Sequence, residues 1–474
     1  MSRAQFPGIL FLSLFLIGVF PVYSAVQDLT EDERQWLARA SRLEREGWIY
    51  LHIEGEPFER GFQHGYLLAP EIKKLFDAEC HVVHWQTPKD FDFFVEQAKS
   101  LFAGKVKPEY EQELRGMARG LKRAGMENIG YDELVAHNAY FEVVGYWWPW
   151  AKKELSERVS TIETGGCSAF AATGSYTADG GVVLAHNTWF YYPMGSWCNV
   201  ILDLAPDKGH RMLMQSIAGY IHSGTDFFLC SSGIAGTETT IGGFTEYDTS
   251  GTPEFCRVRE AMQYADSLDE WAEIMIRGNT GGYANSWLLA DVGSSEIARL
   301  ELGAKYHHWE KKTDGCFYGS NVAEDRDLLL NETKLNWTDI STTNVARRES
   351  WKRLMKIYRG RIDAEVAKTM LADHYDAYLK KERPGYRSIC GHGELDPAAD
   401  TDDLAPFRPS GAVDGKVLDS EMARGMSFWA RWGSSCGMPF LAEKFHQEHT
   451  QYDWLRGYLI DRPTRNWTVF EATR

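Results

Sequence analysis

The sequence has no excess of positive charge, no internal repeat and no low-complexity tract. Its 51 Lys and Arg stand against 67 Asp and Glu, a formal net charge of -16. Nucleic-acid binding needs a concentrated basic surface, so no nucleic-acid partner is expected. Long apolar runs are also scarce: only Phe6 to Phe20 approaches the roughly 20 residues that a membrane span needs, and it falls short. A chain that crosses a bilayer repeatedly is excluded, and no stable membrane anchor is expected.

Two common site patterns are missing as well. Cys80, His81 and His84 could share one helical face, but no second pair follows at zinc spacing, so they read as structural. His392, Glu394, Asp396, Asp400, Asp402 and Asp403 form an oxygen-rich loop without the glycine and terminal glutamate of a calcium-binding hand. That loop reads as a solvated acidic face, and neither a metal nor a cofactor is expected. Ser232 does not fit a Gly-x-Ser-x-Gly nucleophile elbow, because Gly233 follows it directly and no glycine stands two before it.

What is present is an ordinary globular composition, 44% hydrophobic and 25% charged, ample for a large core. Arg3, the apolar run after it and the small residues near Ser24 have the form of a secretory signal peptide over 1–24. The expectation is therefore a secreted, periplasmic or lysosome-like protein. Export would place eight cysteines in an oxidising setting, and Asn331-Glu-Thr, Asn336-Trp-Thr and Asn466-Trp-Thr are glycosylation sequons.

The pattern along the chain divides it near residue 166. Helical periodicity predicts helices over 29–45, 58–76, 110–124 and 131–147, which makes 25–166 mostly helical. After it, β-prone blocks fill 167–245, with a helix at 254–278, strands within 284–303 and a helix at 343–372. Pro384 to Pro409 reads as a long surface loop.

At the division stands Gly165-Gly166-Cys167-Ser168-Ala169-Phe170, with His186-Asn187-Thr188-Trp189 nineteen positions on. Cys167–Thr173 and Gly181–Asn187 read as two strands joined by a turn containing Asp179-Gly180, so a hairpin would return His186, Asn187 and Trp189 to Cys167. Glycine before Cys167 permits the strained backbone that a self-cleaving bond needs. Scission between Gly166 and Cys167 would leave a thiol whose own α-amine serves as base. The competing readings are ordinary: Cys167 as a buried small apolar residue, His186 as a structural histidine, Trp189 as core and Asn285 as a turn cap.

Four blocks carry a resemblance. They are 166–189, Ser231 to Gly242, Gly281 to Asp291, and Ser410 to Val417, and in order and spacing they resemble the phospholipase B-like family. Arg60-Gly61-Phe-Gln-His64-Gly65, Gly116-Met-Ala-Arg-Gly120 and His137-Asn138-Ala-Tyr-Phe-Glu142 resemble, more loosely, the propeptide region of N-terminal-nucleophile amidases, the group of penicillin acyltransferase and bile salt hydrolase.

The resemblance implies an α+β fold, a four-layer αββα sandwich, with 25–166 and 167–474 forming one domain. It implies Cys167 as nucleophile, the bond after Gly166 as cleavage site, and His186, Asn187 and Trp189 beside the nucleophile. Glu238, Thr239 and Asn285 would surround the substrate carbonyl, with the Asn285 amide as oxyanion donor. Bile-salt-hydrolase-type members carry an arginine and an aspartate near the nucleophile, where this chain has His186 and Trp189.

The implied function is hydrolysis of ester or amide bonds in small acylated or lipid substrates. An acyltransferase, or a catalytically weak lipid- or glycan-binding protein on the same fold, is the alternative.

Overall fold

Strands Ser168–Thr173, Val183–Asn187 and Ile234–Thr240 are buried along their whole length, and Asn285–Asp291 nearly so. Strands buried on both faces must lie between two further layers. The computed structural model, which describes residues 29–154, 166–397 and 405–473, shows those layers. The expected signal segment 1–24, Gly165, Asp400, Asp402 and Asp403 lie outside the described residues.

One sheet has nine strands in the order Ser41–Arg45, Trp48–Gly55, Val200–Pro206, Met212–Ser216, Phe227–Cys230, Ile234–Thr240, Asn285–Asp291, Glu296–Leu302 and His307–Lys312. A second has six: Gly315–Gly319, Ser168–Thr173, Val183–Asn187, Asp414–Asp419, Ser427–Trp432 and Thr468–Glu471, and among the described residues two further sheets have two strands each. The sheets meet where Ile234–Thr240, Asn285–Asp291 and Glu296–Leu302 face Ser168–Thr173, Val183–Asn187 and Gly315–Gly319. Helices Pro57–Leu67, Glu254–Tyr264 and Leu268–Ile276 cover the large sheet; Thr343–Tyr358 and Ala364–Leu371 cover the small one. The order of layers is αββα, as expected, in an α+β fold.

Residues 29–154 are less purely helical than their periodicity implied. The Thr30–Glu33 capping box starts a helix at Glu31–Ala38. The chain then turns into a hairpin, Ser41–Arg45 against Trp48–Gly55, because Glu46 and Gly47 both adopt positive φ, 49° and 81°. Trp48–Gly55 pairs in parallel with Val200–Pro206, so the amino-terminal segment is built into the large sheet.

Three other expected helices are interrupted. Pro70 ends donation into the preceding turn and splits 58–76 into Pro57–Leu67 and Ala69–Gln86. Ser267 and Asp363 each cap a new helix, dividing 254–278 and 343–372.

The glycines at 61, 65, 116 and 120 prove to be packing residues. They let helices Pro57–Leu67 and Pro108–Arg123 touch backbone to backbone: a Cβ at Gly61 would lie 1.9 Å from the Glu113 carbonyl oxygen, and one at Gly116 would lie 2.1 Å from that of Phe58. Beside this seam the buried Glu113 carboxylate sits between Arg60 and Arg259. His137 and Asn138 clamp the loop at 218–221, and Glu142 receives the Glu254 N–H at the start of helix Glu254–Tyr264.

The loop 384–409 corrects the sequence reading. His392, Glu394 and Asp396 are buried, not solvated. Asp396 pairs with Arg383, and Glu394 accepts hydrogen bonds from His392 and Tyr192. Cys80, His81 and His84 do not converge on a ligand site: His81 stacks on Tyr458 and His84 pairs with Asp90. Asn331, Asn336 and Asn466 are all exposed.

Candidate active site

The expected hairpin is present, with Ser168 opposite Asn187 and Ala169 opposite His186. Cys167 therefore sits just before the first strand, buried at 4% exposure. Its backbone N–H donates to Asn321 Oδ1 at 3.1 Å, and its carbonyl accepts from Arg347 Nη1 at 2.6 Å. Arg347 Nη2 donates to the same Asn321 oxygen at 2.8 Å, and its guanidinium lies 4.2 Å above the Trp189 ring. Asn321 in turn donates to the Thr240 carbonyl at 2.7 Å. One asparagine oxygen thus faces both the nitrogen of Cys167 and a buried cation.

Gly166 has a local reason to be glycine. A Cβ there would stand 3.2 Å from Asn321 Oδ1, pressing on the atom that holds Cys167 N.

Near the thiol lie two buried carboxyl groups, Glu238 and Asp226. Tyr283 Oη is 3.0 Å from Asp226 Oδ2 and 3.1 Å from Glu238 Oε1, and Asn285 Nδ2 donates to Glu238 Oε2 at 2.8 Å. Asn285 reaches Glu238 because it lies opposite Thr240 in the ladder, two residues along from Glu238 on the same face. Burial raises both carboxyls above the carboxylate range, and for Glu238 the neighbouring Asp226 adds to it. Two carboxyl groups in one buried site disfavour each other's ionisation.

The same groups act on the thiol. Burial first, then Glu238 and Asp226, push the Cys167 thiol well above its usual range, offset in part by the Trp189 backbone N–H and Lys416.

His186 is buried opposite Lys416, and burial together with that cation holds its imidazole far below its usual pKa, hence neutral. Lys416 is itself paired with Asp414 at 2.6 Å, both fully buried. Asn187 points elsewhere: its amide donates to the Leu371 and Ile389 carbonyls. Trp189 donates from Nε1 to the Ile389 carbonyl and packs its ring against Tyr386 and Cys390. Thr239 turns away from Glu238 and lies against Gly319 of the facing sheet, where a Cβ would be 2.2 Å from its hydroxyl. The structure therefore brings Cys167, Glu238 and Asn285 together, and places Asn187 and Thr239 in packing roles.

Asn321, Arg347, Asp226 and Tyr283 were not singled out from the sequence. Three of them share one signal, positive φ without glycine: Asp226 at 60°, Tyr283 at 55° and Asn321 at 69°. Such strain persists where surrounding contacts over-determine it, and it gathers at functional sites. A serine pattern was also passed over. Gly433-Ser434-Ser435-Cys436-Gly437 has the Gly-x-Ser-x-Gly spacing, but Ser435 is buried and donates to Asn187 Oδ1, with no helix following directly.

Aromatic rings enclose the site on the side of the amino-terminal segment. Tyr283 stacks on Phe141 at 5.3 Å, and Phe141 meets Phe190 edge-on at 5.5 Å. Phe141 opens a π-helix, Phe141–Trp147, whose wider turn carries its ring.

Comparison with known proteins agrees with the motif resemblance. A family model described as Phospholipase B matches residues 124–306. An uncharacterized protein of Archaeoglobus fulgidus is 24% identical over 344 residues, 68% of this chain and 55% of its own length. Putative phospholipase B-like 2 of Bos taurus is 30% identical over 146 residues, and Phospholipase B-like 1 of Homo sapiens is 29% identical over 136. Those matches cover 27% and 26% of this chain, and 24% of each relative. A solved structure of a variant conjugated bile acid hydrolase from Clostridium perfringens matches with a TM-score of 0.35 and 9% identity, over 56% of this chain and 89% of that one. The chain resembles phospholipase B-like proteins in its central part and spans about a quarter of the length of those two relatives.

Proposed function

We propose that this chain is an exported, self-processed hydrolase in which Cys167 is the nucleophile and its own α-amine the base. Its substrates are small acylated molecules, lipid esters or N-acyl amides. The observation that carries the reading is the bonding of Cys167 N to Asn321 Oδ1 beside the Arg347 guanidinium.

In processing, the Cys167 thiol attacks the Gly166 carbonyl carbon, the C–N bond breaks and the nitrogen takes the thiol proton. Water then hydrolyses the thioester, releasing a Gly166 carboxyl and a free Cys167 amine. Asn321 Oδ1 is already placed to accept from that amine. Arg347, a fixed cation nearby, disfavours a second positive charge and keeps the amine neutral, as a base must be.

In turnover, the amine removes the thiol proton and the thiolate attacks the substrate acyl carbon. The second N–H of the Asn285 amide, whose first goes to Glu238, is suited to the developing oxyanion. The leaving alcohol or amine takes the proton, and water releases the acid and restores the thiol. The Asp226–Glu238 pair sits where a proton relay is useful.

The wall of Phe141, Phe190 and Tyr283 supports an apolar acyl chain as ligand. Because Trp48–Gly55 lies inside the large sheet, the two fragments would stay associated after scission.

The test is a denaturing gel with amino-terminal sequencing of the purified protein. Two fragments are expected, the larger beginning Cys-Ser-Ala-Phe, and Cys167→Ala should abolish both scission and hydrolysis. An active preparation that runs as one intact band would refute the mechanism. Ligand binding without turnover by a scissile-competent chain would instead identify a binding protein.

A further inference from the structure

Away from Cys167, one group of side chains has no role in the chemistry above. His374, Cys390, His392 and Cys436 each offer one ligand atom, and these atoms all lie within 4.8 Å of one another. The residues come from three separate places. His374 follows helix Ala364–Leu371, Cys390 and His392 flank Gly391 in the following loop, and Cys436 lies between strand Ser427–Trp432 and helix Ala442–Glu448. No metal is expected from the sequence, where Cys80, His81 and His84 and the acidic loop at 392–403 are the patterns weighed; the spacings within this cluster are not those of a zinc motif.

From the assembled cluster, the geometry points to a structural zinc site formed by His374, Cys390, His392 and Cys436. Zinc takes four N and S ligands in a tetrahedron, with Zn–S near 2.3 Å and Zn–N near 2.0 Å, which sets neighbouring ligand atoms about 3.5 Å apart. His392 Nε2 lies 3.3 Å from Cys436 Sγ and 3.6 Å from Cys390 Sγ.

The surroundings fit as well. The other nitrogen of His392 is 3.1 Å from Glu394 Oε1, and Tyr192 Oη donates to that carboxylate at 2.6 Å. A carboxylate behind a ligating imidazole orients it and fixes its tautomer. The Met438 N–H points at Cys436 Sγ at 3.3 Å, as donors do toward a metal-bound thiolate. His374 Nε2 is buried with no hydrogen-bond partner. A Cys390–Cys436 disulfide would engage only the two sulfurs, whereas zinc engages all four groups. With two thiolates and two neutral imidazoles the site is closed, leaving no position for water.

The site would act by holding the loop that carries Ile389, whose carbonyl receives both Trp189 Nε1 and Asn187 Nδ2. The other side of Trp189 carries Arg347. Zinc would therefore fix, at one remove, the guanidinium that bonds Cys167. The metal assignment itself does not depend on the catalytic reading.

Metal content of the full chain, purified without chelator or reductant and supplied with zinc, tests it directly. One zinc per chain is expected, equally in Cys167→Ala, with Cys390 and Cys436 alkylated only after chelation. Replacing zinc by cobalt should give the visible bands of a tetrahedral thiolate site, and the Cys390→Ser/Cys436→Ser double variant should lose the metal. Failure of the unaltered chain to take up zinc, or a Cys390–Cys436 disulfide in its peptide map, would overturn the proposal. Because these readouts use the unaltered chain, a variant that fails to fold leaves the test intact.

Discussion

Replacing Asn321 tests the proposed site at its centre. Asn321→Ala removes the acceptor for Cys167 N–H and for Arg347, and the donor to the Thr240 carbonyl. Two neutral hydrogen bonds at about 1 kcal/mol each and one to a guanidinium at about 2 kcal/mol are lost. Alanine also tolerates the 69° φ less well than asparagine, at about 1 kcal/mol. The expected loss is therefore about 5 kcal/mol, a large part of a typical domain's stability. Urea unfolding followed by tryptophan fluorescence would measure it.

The isosteric Asn321→Asp tests the chemistry directly, although it also gives up the donor to the Thr240 carbonyl. It keeps an oxygen facing the amine but makes it negative, which favours the protonated amine. The neutral base would then form only at higher pH, so the acidic limb of the rate profile for hydrolysis should move up by about one pH unit. The assay is initial rate against pH on an acyl ester, alongside fragment appearance on a denaturing gel. A folded Asn321→Ala that is processed and turns over at the unaltered rate, or an Asn321→Asp with an unshifted profile, would refute the role given to Cys167 N.

Two further predictions concern the frame. Asp203 is fully buried and accepts from Tyr50, His52, Arg211 and the Thr473 N–H, bonds that hold its carboxyl far below the usual range against the cost of burial. His52 is raised, chiefly by its bond to Asp203. The Asp203 contribution is present above about pH 4 and lost as pH falls toward its folded pKa; that of His52 is present below about pH 6.5 and lost as pH rises through its folded pKa. Asp203→Asn should cost about 3 kcal/mol between those limits and flatten the acid limb, as urea midpoints against pH would show; an unchanged acid limb would contradict the assignment. Gly116→Ala should lower stability by about 2 kcal/mol through the clash with the Phe58 carbonyl, and a urea midpoint equivalent to within about 0.5 kcal/mol would mean that the helix seam is looser than described.

Local chemistry was enough for the hairpin at 168–187 and the strands within 284–303. Each rests on short-range signals: alternation, a turn of Asp179-Gly180, and a glycine ahead of a strand. Helix breaks were harder, because periodicity continues across Pro70, Ser267 and Asp363 while caps and proline end the hydrogen-bond ladder. The glycine motifs at 61–65 and 116–120 were visible as patterns, but only the packed helices reveal that they permit backbone contact.

What the sequence by itself determined is β-rich blocks interleaved with helices, the layer order entering only through the resemblance, and a nucleophile candidate at one strand end. What only the tertiary structure decided is which further distant groups meet Cys167, beyond those the resemblance implied. Asn321 and Arg347 lie more than 150 residues away along the chain, Asp226 stands just ahead of strand Phe227–Cys230 of the facing sheet, and the His374–Cys436 cluster draws on three segments. The physical reason is that hydrogen bonding, desolvation and ligation act over a few ångströms, whereas the spacing of residues along a chain specifies only what is near in sequence.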